Sequence, residues 1–204
     1  GKSAAPIRNG NLIMITSALP GEGQTFTAIN LAMSIALEKD KTVLLVDADI
    51  SRPVISRYLS EEPPRGLVDY LINDSLPLSD VLVRTEIPKL RILPAGQRTA
   101  QSTELLASDN MRRLTEELAV RYPDRVVIFD SPPLLATSEA AVLAGLIGQV
   151  VMVVEAEKTP QDVIREALAQ LDSKAMISLV LNKSRRHRRS HYYDYYGYYA
   201  DNRQ

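Results

Sequence analysis

Three short stretches carry side chains of types and spacings that could do chemistry. The first is Ser17-Ala18-Leu19-Pro20-Gly21-Glu22-Gly23-Gln24-Thr25, set between an apolar run, Leu12 to Thr16, and a helix-patterned stretch beginning near Thr25. A strand, a glycine-containing loop and a helix N-terminus in that order turn backbone N–H groups inward beside the positive end of the helix. Such a site wants an anion, above all a phosphate chain. On the phosphate-loop pattern Ala18 takes the first small position, Gly23 the second glycine, and Thr25 the hydroxyl that holds Mg²⁺. Gln24, a neutral amide, stands where the pattern has a lysine to reach the phosphates.

The second stretch is Asp47-Ala48-Asp49, after the run Thr42 to Val46. Alternation puts both carboxylates on one side of the strand extension and Ala48 on the other. Like charges so placed are costly without a metal, or a hydroxyl whose proton one of them takes; salt bridging to Arg52 or Arg57 is the competing structural reading. The third is Val126 to Phe129 ending in Asp130, a strand-end carboxylate of the kind that holds Mg²⁺ beside a phosphate-loop threonine. Such an aspartate can also simply cap the next helix.

These residues need a scaffold that gathers strand ends. Phe26, Ile29, Leu31, Ala32, Ile35 and Ala36 recur at helical spacing up to Glu38, and Thr42 to Val46 is an uninterrupted apolar run of the kind buried on both faces of a parallel sheet. A short helix from Gly66 to Ile72, a strand Leu90 to Leu93, a helical turn through Ala107 capped by Ser102 or Thr103, and a helix Asp109 to Tyr122 capped by Ser108 follow. Thr137–Ile147, Gln149–Val154, Pro160–Asp172 and Met176–Leu181 then alternate as helix, strand, helix and strand. The βα order predicts an α/β fold, a parallel central sheet between two helical layers, with ligands at the carboxyl edge of its strands.

The 204 residues suit one such domain, and a formal net charge of −1 argues against nucleic acid bound over the whole surface. There is no cysteine, which excludes disulfides and thiolate chemistry and suits a reducing cytoplasm. The apolar window Ala140 to Val154 is shorter than the ~20 residues of a membrane-spanning helix. Gly1 in place of methionine suggests a fragment or a tagged chain. Residues 1–182 read as the folded domain and 183–204 as a tail: a basic run, Lys183 to Arg189, then Tyr192, Tyr193, Tyr195, Tyr196, Tyr198 and Tyr199 with no aliphatic residue among them. Such a segment has nothing to bury as a core. The basic run reads as a solvated linker, or as a contact for acidic lipid or phosphorylated tyrosine.

Together, the loop Ser17 to Thr25, the run Val43 to Asp49 with Arg52-Pro53, the strand Val126 to Pro133 and the tyrosine tail resemble the bacterial tyrosine kinases, a family with a three-layer fold like that of P-loop NTPases. Ser17 to Ala32, Ala95-Gly96, Glu104 to Ala107 and Asp124 to Leu135 look closest to the exosortase-associated tyrosine autokinases of exopolysaccharide synthesis. The resemblance implies ATP or ADP with Mg²⁺ along Pro20, Gly21, Glu22, Gly23, Gln24, Thr25 and Phe26, and Asn182 near adenine. It implies Asp47 as catalytic carboxylate with Asp49 as its partner, and Thr25, Asp47 and Asp130 on the metal. The six tail tyrosines would be the phosphoacceptors.

The partners so implied are a neighbouring copy in trans autophosphorylation, a membrane polysaccharide co-polymerase as activator, and a tyrosine phosphatase, with the chain cytoplasmic at the inner face of the membrane. The family's Glu-x-x-Arg-x-x-Arg helix is missing from residues 1–11, so ring assembly is an open expectation. The arginine that many relatives carry two residues after Asp49 is here Ser51, with Arg52 following. Gln24 predicts a weak enzyme, since losing one preorganised charged donor costs about 10²–10³-fold in rate. It also raises the alternative of a pseudokinase interaction module. A positioning ATPase of the chromosome- or division-site type is the other alternative, though it would carry a further lysine where this chain has Leu19.

Overall fold

In the computed structural model the described residues are 8–62, 64–98, 104–121, 124–171 and 175–185. The tyrosine segment, Arg186 to Arg189, Ser102, Thr103, Tyr122 and Asp172 lie outside them. Seven strands form one sheet in the order β3-β4-β2-β5-β1-β6-β7. They are β1 (Leu12–Ser17), β2 (Thr42–Asp47), β3 (Val83–Arg84), β4 (Leu90–Leu93), β5 (Arg125–Asp130), β6 (Gln149–Glu155) and β7 (Met176–Asn182). Every pairing is parallel except that of β3 with β4.

The apolar runs alternate between two buried clusters, as strands covered on both faces must. Leu44 and Val46 of β2 join one cluster, while Val43 and Leu45 join the other. Helices α1 (Gln24–Ala36) and α2 (Val54–Leu59) cover the second cluster; α3 (Leu67–Ile72), α4 (Asp109–Arg121), α5 (Ser138–Leu146) and α6 (Gln161–Ala169) cover the first. The result is the three-layer α/β architecture expected. Ser108 Oγ accepts a hydrogen bond from the Met111 N–H at 3.2 Å and starts α4, and Thr137 caps α5.

One sequence expectation is corrected. The fully buried face of α1 is Ala28 and Ala32, continued by Gln24 and Ala36, whereas Phe26, placed on that face by its spacing, is 67% exposed. Residues four apart share a helix face, and a stripe of alanines lets α1 lie close on the sheet. The far edge of the sheet is the opposite case: Met176, Ile177, Leu179, Val180 and Leu181 of β7 are all exposed.

Candidate functional site

The chain leaves β1 at Ser17 and enters α1 at Gln24 through a loop with two left-handed turns, Gly21 at φ 85° and Gly23 at φ 104°. Such angles favour glycine. Gly23 is also the N-cap of α1; no side chain caps it, and the first turn holds no acidic residue. The amides and positive dipole end there are thus left for an external anion.

Buried side chains brace the loop from below. Glu22, 2% exposed, turns its carboxylate inward to accept from the Leu19 N–H at 2.7 Å, the Glu155 N–H at 3.3 Å and the Thr159 hydroxyl. Two residues at the end of β7 hold it from the side. Asn182 Nδ2 donates to the Glu22 carbonyl at 2.9 Å, and Lys183 Nζ to the Gly21 carbonyl at 2.7 Å. Lys183 also pairs with Glu155 at 3.0 Å, and that bond is the main cause holding the Glu155 carboxyl below its ordinary range.

Parallel register brings the carboxylates together: Asp47 at the end of β2 lies directly beside Asp130 at the end of β5. Both are fully buried. Asp47 Oδ2 accepts from the backbone N–H and the hydroxyl of Ser56 at 2.8 and 2.7 Å. Its Oδ1 and both oxygens of Asp130 have no hydrogen-bond partner. Three orphaned carboxylate oxygens in the protein interior are costly. Burial accordingly pushes Asp47 up to about 6, against the pull of Ser56. It pushes Asp130 up to about 8; the Thr25 hydroxyl, short of hydrogen-bonding geometry, lowers it, while Asp47 and Asp49 add to the rise. Asp49 is raised by burial too, with the Arg52 N–H and charge opposing.

Above them opens a cleft of about 510 Å³, lined by Pro20, Gly21, Gly23, Gln24, Thr25 and Asp49 from the predicted set, together with Arg52 and Pro133. Asp47 and Asp130 are buried and do not line it; Asp49, two residues after Asp47, and Thr25, whose hydroxyl acts on Asp130, are the lining residues that connect them to it. Glu22 contributes its backbone to the loop but its side chain faces away, Phe26 points into a neighbouring groove, and Asn182 touches the outer side of the loop. Ion pairs of Asp49 with Arg52 or of Asp47 with Arg57 do not form among the described residues; Asp49 Oδ1 instead accepts the Arg52 N–H at 3.1 Å. Sequence reasoning missed Ser56, the clasp of Asp47, and the bracing role of Glu22. The acid three residues after Leu19 was the available signal for the second.

The orphaned oxygens fit a cation. Among the described residues no three His, Cys, Asp or Glu side chains form a self-sufficient metal site; a Mg²⁺ held here would draw its remaining ligands from phosphate and water, its usual habit.

A glycine loop at the end of the first strand, with strand-end carboxylates beside it on a parallel sheet, defines a P-loop NTPase-like nucleotide-binding domain, and residues 10–175 match the family described as AAA domain. The chain is 36% identical over 188 residues to tyrosine-protein kinase YwqD of Bacillus subtilis, covering 91% of this chain and 77% of that protein. It is 34% identical over 191 residues to the succinoglycan biosynthesis transport protein ExoP of Rhizobium meliloti, covering 91% of this chain but 24% of that one. The solved VpsO kinase domain superposes with a TM-score of 0.76 at 32% identity, covering 87% of each chain. The chain belongs to the bacterial tyrosine kinase family.

Proposed function

We propose that residues 1–182 form an ATP- and Mg²⁺-dependent protein-tyrosine autokinase domain, that 183–204 form its substrate tail, and that Gln24 keeps its rate low. The observation that carries this reading is the set of orphaned oxygens on Asp47 and Asp130 beneath Thr25. Gly21, Gly23, Gln24 and Thr25 bind the phosphates through loop amides and side chains. Thr25 and Asp130 would hold Mg²⁺, which would neutralise the charge spread over the phosphates and leave Asp47 Oδ1 free for the acceptor. Asp47, raised toward neutrality, takes the proton of the incoming tyrosine hydroxyl, and Ser56 keeps its carboxylate in place. The tyrosine oxygen bonds to the γ-phosphorus as the bond to the bridging oxygen breaks, its electrons leaving with ADP. Asp49 orients the acceptor at the cleft wall.

The acceptors are Tyr192, Tyr193, Tyr195, Tyr196, Tyr198 and Tyr199 of a neighbouring copy, and the name of the ExoP relative supports a role in exopolysaccharide synthesis, with a membrane co-polymerase as activator and a phosphatase as counterpart. A Gln24→Lys chain given Mg·ATP and an activator should acquire phosphotyrosine in this tail. Asp47→Asn in that background should lose about 10²-fold or more; undiminished activity would remove Asp47 from the reaction. A second reading, a nucleotide-responsive pseudokinase, is favoured by Gln24 alone: a neutral amide, 8% exposed, stands at the position of the phosphate-facing lysine. Absence of phosphotyrosine in the Gln24→Lys chain would select it.

A further inference from the structure

Beside the cleft runs a second concavity of about 500 Å³. Phe26, Ile29 and Met33 of α1 form one wall, Tyr58 of α2 stands on the other, and Leu45 and Ile92 are among the residues of the floor. Phe26, Met33 and Tyr58 are 67%, 43% and 77% exposed, so three large side chains stand in water around an apolar trough. Contiguous exposed apolar surface of this kind marks a binding site. The trough is continuous with the cleft, because Thr25 and Val54 line both.

We infer that this trough docks the segment Tyr192 to Tyr199 of a second copy of the chain and delivers one of its hydroxyls to the Thr25 end of the cleft. The inference rests on the tyrosine-kinase reading above. The chemistry of the two surfaces matches: six of the eight residues in the segment are tyrosine. Aromatic rings pair favourably with Phe26 and Tyr58 and with the Met33 sulfur, and tyrosine supplies contact area at little cost in conformational entropy. A general apolar partner would use the trough equally well, but only an aromatic hydroxyl has a use for its continuity with the cleft.

Geometry favours the neighbour's segment over the chain's own. Lys183 fixes the root of the tail on the phosphate loop at Gly21, beyond β7, whereas the trough lies over β2 and β4. With β6, β1 and β5 between, the root is about 19 Å from β2 at ~4.8 Å per strand. The nine residues from Lys183 to Tyr192 can span about 30 Å. A chain's own segment is therefore long enough to reach, but the direct line from Gly21 to the trough crosses the strand ends where the cleft opens. A neighbour's segment enters from the outer end at Met33 and leaves the cleft mouth clear.

The test places a photocrosslinking benzoylphenylalanine at position 33 of the full chain and mixes isotopically heavy and light copies with Mg·ADP. Heavy-to-light crosslinks from position 33 to peptides spanning Tyr192 to Tyr199 are expected. Crosslinks confined to single chains, or to other surfaces, or none to the tyrosine segment, would overturn the inference. As a second measurement, Met33→Glu in the Gln24→Lys chain should cut tail phosphorylation about tenfold or more with ADP affinity and melting temperature unchanged; an undiminished rate would equally overturn it. Crosslinks between copies without any phosphotransfer would leave the docking standing and refute the kinase reading instead. Phosphotransfer without them would do the reverse.

Discussion

Replacing Asp130 by asparagine should make the nucleotide-free protein more stable at neutral pH. Asp130 is fully buried with both oxygens unpartnered, and its carboxyl is raised from 3.8 to about 8. The folded chain thus binds a proton that the unfolded chain releases between those values, so stability is complete below pH 3.8 and declines as pH rises toward 8. At pH 7 the gap is roughly 3 pH units, which at 1.36 kcal/mol each amounts to about 4 kcal/mol against folding. An asparagine removes the ionisation but leaves an amide unpaired at a cost of about 1–3 kcal/mol, so about 2 kcal/mol should survive. For a chain of this size that is a melting temperature higher by about 4–8 °C. Calorimetry in chelator at pH 7, repeated at pH 4.5 where the native carboxyl already holds its proton, reads the effect. A variant that melts no higher than the parent at pH 7, or that keeps its full advantage at pH 4.5, would refute the argument. With Mg·ADP added, the parent should gain more than the variant, because the variant keeps only one of the three orphaned carboxylate oxygens, Asp47 Oδ1.

Ser56→Ala should cost about 1–3 kcal/mol in urea unfolding, because the Ser56 hydroxyl donates to Asp47 and also accepts the Ala95 N–H at 2.9 Å. Gly23→Ala should weaken ADP binding about tenfold or more by calorimetry: φ is 104° there, and a β-carbon would collide with the Asn182 amide that holds the loop.

The carboxylates were legible because each ends an uninterrupted apolar strand, and parallel strands so built have one common edge. The loop was legible because its glycines sit between a strand and a helix. Ser56 was not, since α2 is six residues long and directly follows Pro53, too short for periodicity to declare it. Glu22 was read as a residue lining the nucleotide; its inward turn depends on Thr159, 137 residues away, and no local pattern carries such a partner. Phe26 fits a helical apolar stripe as well as the alanines do, and only the closeness of α1 to the sheet decides which stripe is buried. The two-residue β3 gave no alternation to read.

Asn182 and Lys183 clasp a loop that lies 160 and 162 residues earlier. Contacts of such separation form late, because the entropy of closing the chain must be met before they contribute. During synthesis the loop and its glycines emerge well before the strand that holds them. A growing chain would therefore carry an unfastened phosphate site until β7 has left the ribosome, and any shortening of the chain before Asn182 should return the site to that state.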